Sequence, residues 1–127
     1  MSKHHHNFTA EQVQALWESA EHWLENVTAA LAAVDSGRLL GDVEGQVSLG
    51  YASCQCCHRW HPEYTRDSEK PCWGCPIAQY TGEPFCGNTP YGAAEYAYCR
   101  DDRDFAENAE REYRFLVCLA LGDDPNV

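Results

Sequence analysis

Residues 9–37, TAEQVQALWESAEHWLENVTAALAAVDSG, contain the clearest helix pattern in the chain. This stretch opens with Thr9-Ala-Glu-Gln12, which has the form of a capping box that satisfies backbone donors at a helix start. Apolar residues then recur at steps of three and four, glutamates fall between them, and Gly37 supplies a stop. The spacing predicts an amphipathic helix over about residues 9–35. The core-facing stripe predicted for it is Val13, Leu16, Trp17, Ala20, Leu24, Val27, Leu31 and Val34.

A second amphipathic helix is predicted near the other end of the chain. Its apolar stripe is Phe105, Ala109, Tyr113, Leu116, Val117 and Ala120. An aspartate at position 101 or 102 begins the helix and Gly122 ends it, which places it at about residues 102–121. A shorter helical turn is expected after Thr89, with Pro90 at its first helical position. Because the two long stripes complement each other, the long helices should pack side by side.

Between the helices we expect a loop-rich segment. Residues 46–52 alternate apolar with small or polar side chains between glycines, which fits a short strand that leads into the first cysteines. The predicted fold class is mainly α, with a small α+β arrangement as the alternative. A chain of 127 residues has the size of one domain. That domain would comprise the helix at 9–35, a Cys-rich metal-binding segment at 46–91 and the helix at 102–121.

Eight cysteines in 127 residues are the strongest chemical signal in the sequence. Cys54-Gln-Cys-Cys57 and Cys72-Trp-Gly-Cys75 form two C-x2-C pairs separated by 14 residues. This spacing is typical of paired knuckles that donate four thiolates to one tetrahedral zinc ion. Four sulfurs leave no position for a catalytic water, so the expected zinc is structural, and its loss should unfold the middle of the chain. The predicted ligands are Cys54, Cys57, Cys72 and Cys75, with Cys86 as the first substitute.

Other side chains near this segment keep the ligand set open. Cys56, His58 and His61 each lie close enough in sequence to replace a member of the four. Cys118 is set aside because it lies in the apolar last turn of the second helix, where a thiol behaves as a small apolar side chain. The terminal run His4–His6 is also set aside.

Three other chemistries match parts of the cysteine pattern. Cys72-x2-Cys75 followed by proline resembles the end of a ferredoxin cysteine run, so an iron–sulfur cluster is the first alternative to zinc. The same pair resembles the redox motif of thioredoxins, although no βαβ pattern surrounds it. His61-Pro-Glu63 followed by Pro71-Cys72 has the form of a zinc deaminase. Only seven residues separate Glu63 from Pro71, too few for the helix and strand of that fold.

Several segments resemble a known group of proteins when they are read together. They are Cys54-x2-Cys57, Cys72-Trp-Gly-Cys75-Pro-Ile, Thr81-Gly82, Cys86-Gly-Asn-Thr-Pro-Tyr91 and Ala109-Glu-Arg-Glu-Tyr-Arg-Phe-Leu116. Their order is similar to that of small, cysteine-rich, mostly uncharacterised bacteriophage and prophage proteins, over about residues 54–116. The resemblance implies a phage-encoded context and no particular activity. It also implies one site formed by Cys54, Cys57, Cys72, Cys75 and Cys86. Outside its pattern lie Cys56, Cys99 and Cys118.

Charge bears on the class of partner. The chain has 9 Lys and Arg against 20 Asp and Glu, and a net charge of −11 disfavours binding to a phosphate backbone. Residues 51–75 are balanced at 3 basic and 3 acidic side chains, so the acidity lies in the two flanks. An acidic exterior suits contact with the basic surface of another protein, and it also keeps a protein soluble. The chain contains no membrane-length apolar run and no apolar leader, so we expect a cytoplasmic protein that contacts neither membrane nor nucleic acid.

The function predicted from these features is that of a zinc-binding accessory protein that acts by protein–protein contact. A host nucleic-acid-handling or defence protein would present the basic surface, and Trp60, Tyr64 and Trp73 would be the aromatic anchors. Catalysis is not expected, because Glu63, the best acid–base candidate, lies in a loop with little around it to tune it. The alternatives are an iron–sulfur or thiol redox protein and, less favoured, a small zinc-dependent enzyme.

Overall fold

The fold is described by a computed structural model. The residues it describes are 8–37, 47, 49, 55–60, 72, 74–83, 86–87, 89–98, 100–123 and 125. Helices account for 77% of these residues, and no strand occurs among them. The helices are α1 (Ala10–Ser36), α2 (Gln55–Trp60), α3 (Pro76–Thr81), α4 (Tyr91–Ala97) and α5 (Asp102–Leu121). The prediction of a mainly α fold is therefore confirmed.

The strand predicted over residues 46–52 is not seen where the structure describes that segment. Val47 and Leu49 belong to no strand, and both pack, half-buried, against the core. The other residues of the segment lie outside the described part of the chain. Among the described helices, none is long and apolar enough to cross a membrane.

The ends of the long helices follow the capping signals in the sequence. The Thr9 hydroxyl accepts from the Gln12 backbone N–H at 3.1 Å, and Gln12 Oε1 accepts from the Thr9 N–H at 2.7 Å. These two bonds are the predicted capping box. Asp101 caps α5 by accepting from the Asp104 N–H at 3.0 Å. The short helix α4 begins at Tyr91 with Pro90 as its N-cap, so the proline stands one position earlier than predicted.

The core lies between α1 and α5 and is built largely of small side chains. The buried alanines of the two helices are Ala15, Ala20, Ala29, Ala30, Ala33, Ala106, Ala109 and Ala120. Small side chains let two helix backbones approach closely, and Leu16, Phe105 and Leu116 fill the remaining space. The fold therefore depends on a close contact between the two long helices, as their stripes predicted.

Aromatic rings attach the short helices to this pair. Trp23 of α1 meets Tyr91 of α4 edge to face, with ring centroids 5.9 Å apart. Tyr80 of α3 meets Phe115 of α5 in the same manner at 5.8 Å. Edge-to-face pairs of this kind are the favoured arrangement of aromatic rings. The two contacts place α4 against α1 and α3 against α5.

The predicted core stripe of α1 is wrong at three of its largest members. Trp17, Leu24 and Leu31 are 41%, 44% and 47% exposed. The prediction holds for Leu16 and for the buried Ala20 and Val27. The physical reason is that alanines line the contact between α1 and α5, so the two helices lie too close together to bury these three large side chains between them.

Polar residues occupy the buried side of α1 in place of those side chains. Gln12, Ser19 and Asn26 follow one another at intervals of seven residues and are 6%, 0% and 1% exposed. Seven residues make about two helical turns, so the three side chains form one row along the helix. One row on the buried side of α1 is thus polar, beside the buried alanines and Leu16, and an apolar row with the same spacing faces outward.

Candidate metal centre

The second cysteine pair forms a tight turn at the start of α3. The Cys75 N–H donates to the Cys72 carbonyl at 2.9 Å, and Cys75 is the N-cap residue of the helix. Cys72 has φ +60° and Gly74 has φ +92°, both in the left-handed region. The two cysteines are only 5% and 6% exposed. A tight turn of this kind can direct two sulfurs toward one ion, as the C-x2-C spacing predicted.

The turn is held from one side by α1. Gln12 Nε2 donates to the Gly74 carbonyl at 2.8 Å, while the same side chain completes the helix cap at Thr9. A single buried amide therefore satisfies both the start of α1 and the backbone of the cysteine turn. This contact joins the N-terminal helix directly to the candidate centre.

The last residue of α2 also contacts the turn. A Cβ atom built on Gly74 would lie 2.6 Å from both Cδ1 and Nε1 of the Trp60 indole. Real side chains do not approach that closely, so only glycine fits against the ring at this position. Gly74 thus meets two requirements at once, a left-handed backbone and a close ring contact.

Helix α2 itself is fixed to α1 through Cys56 and Arg59. The Cys56 N–H donates to Ser19 Oγ at 3.3 Å, and the Ser19 hydroxyl donates to Cys56 Sγ at 3.5 Å. Arg59 forms ion pairs with Glu18 at 3.1 Å and Glu11 at 3.9 Å. The Gln14 amide and the Arg59 guanidinium hold the pKa of Glu18 below its usual value, against a smaller opposing effect of burial.

Cys86 occupies a second fixed turn, after α3. Its backbone has φ +61°, and its carbonyl accepts from the Thr89 hydroxyl at 2.8 Å. In the described part of the chain, Cys72 and Cys86 are the two non-glycine residues with a left-handed backbone. Such a backbone costs of order 1–3 kcal/mol and persists only where the surroundings hold it. Both positions belong to the predicted ligand set.

The structure describes the positions of four of the five predicted ligands. Cys72 and Cys75 share the turn, Cys57 is half-buried on α2, whose last residue contacts that turn, and Cys86 is half-buried against the core. Cys54 lies outside the described residues, as does His61. Within the described residues, no three Cys, His, Asp or Glu side chains converge on a point that could hold a metal ion. Soft thiol donors suit zinc, and the described turn supplies one pair of them.

Two positioning residues escaped the sequence prediction, Gln12 and Ser19. The sequence predicts Gln12 as part of a capping box but does not predict its bond to Gly74, and it gives no indication that Ser19 bonds to Cys56. The available signal is their spacing with Asn26, because these three polar residues recur every seven positions along the helix. A row of this kind indicates that the helix presents hydrogen-bonding groups to a buried neighbour.

Comparison of the chain with known protein families, with curated proteins and with solved structures gives no match.

The close contact between Gly74 and Trp60 generates the first prediction. Gly74→Ala should lower the free energy of unfolding by about 1–3 kcal/mol for its left-handed backbone and by a further amount for the clash with the indole. Gly82→Ala is the matched control, because Gly82 has φ +77° and nothing lies within 4 Å of its Cβ position. Urea unfolding of both variants measures the difference. Equal losses in the two variants would contradict the ring contact.

The bridging amide of Gln12 generates the second prediction. Gln12→Glu keeps an acceptor for the Thr9 N–H but removes the donor to Gly74, so the free energy of unfolding should fall by about 1–3 kcal/mol. Gln79→Glu, on the exposed face of α3, makes the same change of charge and should stay within about 0.5 kcal/mol of the parent. Urea unfolding with circular dichroism reports both. A silent Gln12→Glu substitution would show that the bridge does not hold the turn.

Proposed function

We propose that this protein is a small, acidic, zinc-stabilised accessory protein of the phage type that acts in the cytoplasm by contact with another protein. The cysteine turns hold the zinc, through Cys54, Cys57, Cys72 and Cys75 with Cys86 as the alternate ligand. The observation that carries the proposal is the buried Cys72–Cys75 turn. Its backbone is left-handed at Cys72 and Gly74, and Gly74 is contacted by both Gln12 and Trp60.

The chemistry of this turn supports a metal better than it supports a packing role. A thiol that serves only as a small apolar side chain has no need of a strained backbone, yet both Cys72 and Cys86 have one. Gln12 orients the backbone of the turn, and burial of Cys72 and Cys75 keeps water from their sulfurs. Zinc, when bound, supplies a cross-link between segments that are distant in sequence.

A structural role for the ion follows from the donor type. Four thiolates close a tetrahedral sphere and leave no position for a water that could be activated. The residues of the centre then bind and orient the chain around the ion, and none transfers a proton or an electron. The proposed activity is therefore carried by the surface of the protein.

The acidic surface supports a basic partner. The net charge is −11, and α1 has five acidic side chains and no Lys or Arg over its whole length. A surface of one sign speeds association with a surface of the opposite sign and disfavours nucleic acid. A host nucleic-acid-handling or defence protein is the partner class that fits this chemistry. Trp60 packs on Gly74, so its ring holds the turn, whereas the other expected anchors, Tyr64 and Trp73, lie outside the described residues.

Metal content tests the proposal. Protein that lacks the His4–His6 run should carry one zinc per chain and show no visible absorption, by elemental analysis and an absorption spectrum. Cys72→Ser with Cys75→Ser should abolish the bound zinc because both thiolates leave the sphere. Cys118→Ser is the matched control, since Cys118 lies in the last turn of α5, outside the predicted ligand set, and the variant should keep its zinc.

Two results would count against the proposal. A brown protein that contains iron would favour the iron–sulfur alternative over zinc. Full zinc content in the doubly substituted protein would remove the cysteine turn from the site. A parallel pair of variants, Cys57→Ser and Cys56→Ser, decides which cysteine of α2 contributes, and the proposal expects the loss of zinc in Cys57→Ser.

A further inference from the structure

The outward side of α1 presents a row of large apolar side chains that are not buried in the core. Trp17, Leu24 and Leu31 are 41%, 44% and 47% exposed and recur every seven residues. At 1.5 Å per residue the row from Trp17 to Leu31 is about 21 Å long, which corresponds to two heptad repeats. We call these three side chains the outer stripe. Single exposed apolar residues are ordinary, but three that align along one side of a helix form a continuous apolar row against which another helix can pack.

The outer stripe is bordered by negative charge. Glu21, Glu25 and Asp35 are exposed on the outward half of the same helix. Among the described residues none of these three has a basic partner, whereas Glu11 and Glu18 pair with Arg59. Since α1 contains no Lys or Arg, nothing within the helix neutralises the border.

We infer that the outer stripe is the docking surface for an amphipathic helix of a partner protein whose apolar face is flanked by Lys or Arg. The inference rests on the proposed function, because it locates the surface that meets the basic partner. Apolar anchors at heptad spacing would seat the helix against Trp17, Leu24 and Leu31. The flanking cations of the partner would face Glu21, Glu25 and Asp35.

Charge also distinguishes this occupant from a second copy of the chain. Two outer stripes brought together would set one acidic border against another, and like charges in close contact cost affinity. A basic helix meets the same border with the opposite sign. The outer stripe also lies on the other side of α1 from Gln12 and Ser19, which hold Gly74 and Cys56, so docking leaves the cysteine turn untouched.

A titration with a designed peptide tests the inference. The probe is a fluorescein-labelled peptide of about three heptads, with Leu at the seam positions and Lys at the flanks. Fluorescence anisotropy should show saturable binding that weakens as salt rises. The double variant Leu24→Gln with Leu31→Gln should bind about tenfold or more weakly, because the apolar anchors are lost. Leu121→Gln is the matched control, since Leu121 is 52% exposed on α5 and should change binding less than about twofold.

A second pair of variants tests the acidic border. Glu21→Lys with Glu25→Lys should weaken binding and flatten its salt dependence, because the cations of the peptide then meet like charge. Glu83→Lys, exposed after α3, is the matched control and should have a smaller effect. A peptide with Glu in place of Lys should not bind the parent protein.

The outcomes separate this inference from the proposed function. Equal binding by the parent and the Leu24→Gln, Leu31→Gln variant would overturn the outer stripe while leaving a basic partner in place. No binding of the Lys peptide by the parent protein at low salt would also overturn the outer stripe as a docking surface, whereas the proposed function is tested separately by the zinc content. A parent dimer, measured by light scattering, that the double variant converts to a monomer would assign the stripe to a second copy and overturn the inference. Circular dichroism checks that each variant keeps its helices.

Discussion

The side-chain amide of Gln12 joins two parts of the molecule that lie 62 residues apart in sequence. Its oxygen completes the cap of α1 and its nitrogen holds the carbonyl of Gly74, so the start of the long helix and the cysteine turn share one geometry. The Trp60 ring contacts Gly74 at the position that a Cβ atom would occupy. The candidate metal centre thereby contacts the N-terminus of α1. A displacement of Gln12 at the cap would also change its hydrogen bond to the turn.

Helix α1 buries a row of polar side chains and exposes a row of large apolar ones. The buried side presents Gln12 and Ser19 to the backbone of the turn and to Cys56, while alanines let α5 approach closely. Large apolar side chains are displaced to the outward side, where they form the outer stripe. The same helix therefore contacts the candidate centre on one side and carries on the other the outer stripe that we propose as the docking surface of a basic partner.

Local signals in the sequence were sufficient to predict the two long helices and the helical turn near Pro90, whereas α2 and α3 were not predicted. Thr9 and Asp101 mark helix starts by hydrogen bonds that depend only on neighbours three residues away, and these predictions are confirmed. The facing of α1 could not be predicted by counting apolar residues, since periodicity does not reveal that a polar row is paired in the core. Cysteine spacing predicted the turn at Cys72, but its left-handed backbone and the fit of Gly74 against Trp60 depend on contacts that no local pattern encodes.

We propose that buried cysteine sulfurs of the middle segment hold a zinc ion. X-ray absorption at the zinc edge, on protein without the His4–His6 run, tests it most directly because the method reports the atoms bound to the metal. The account predicts a first shell of sulfur at about 2.3 Å. A shell made only of nitrogen or oxygen at about 2.0–2.2 Å, or protein that retains no zinc, would contradict it.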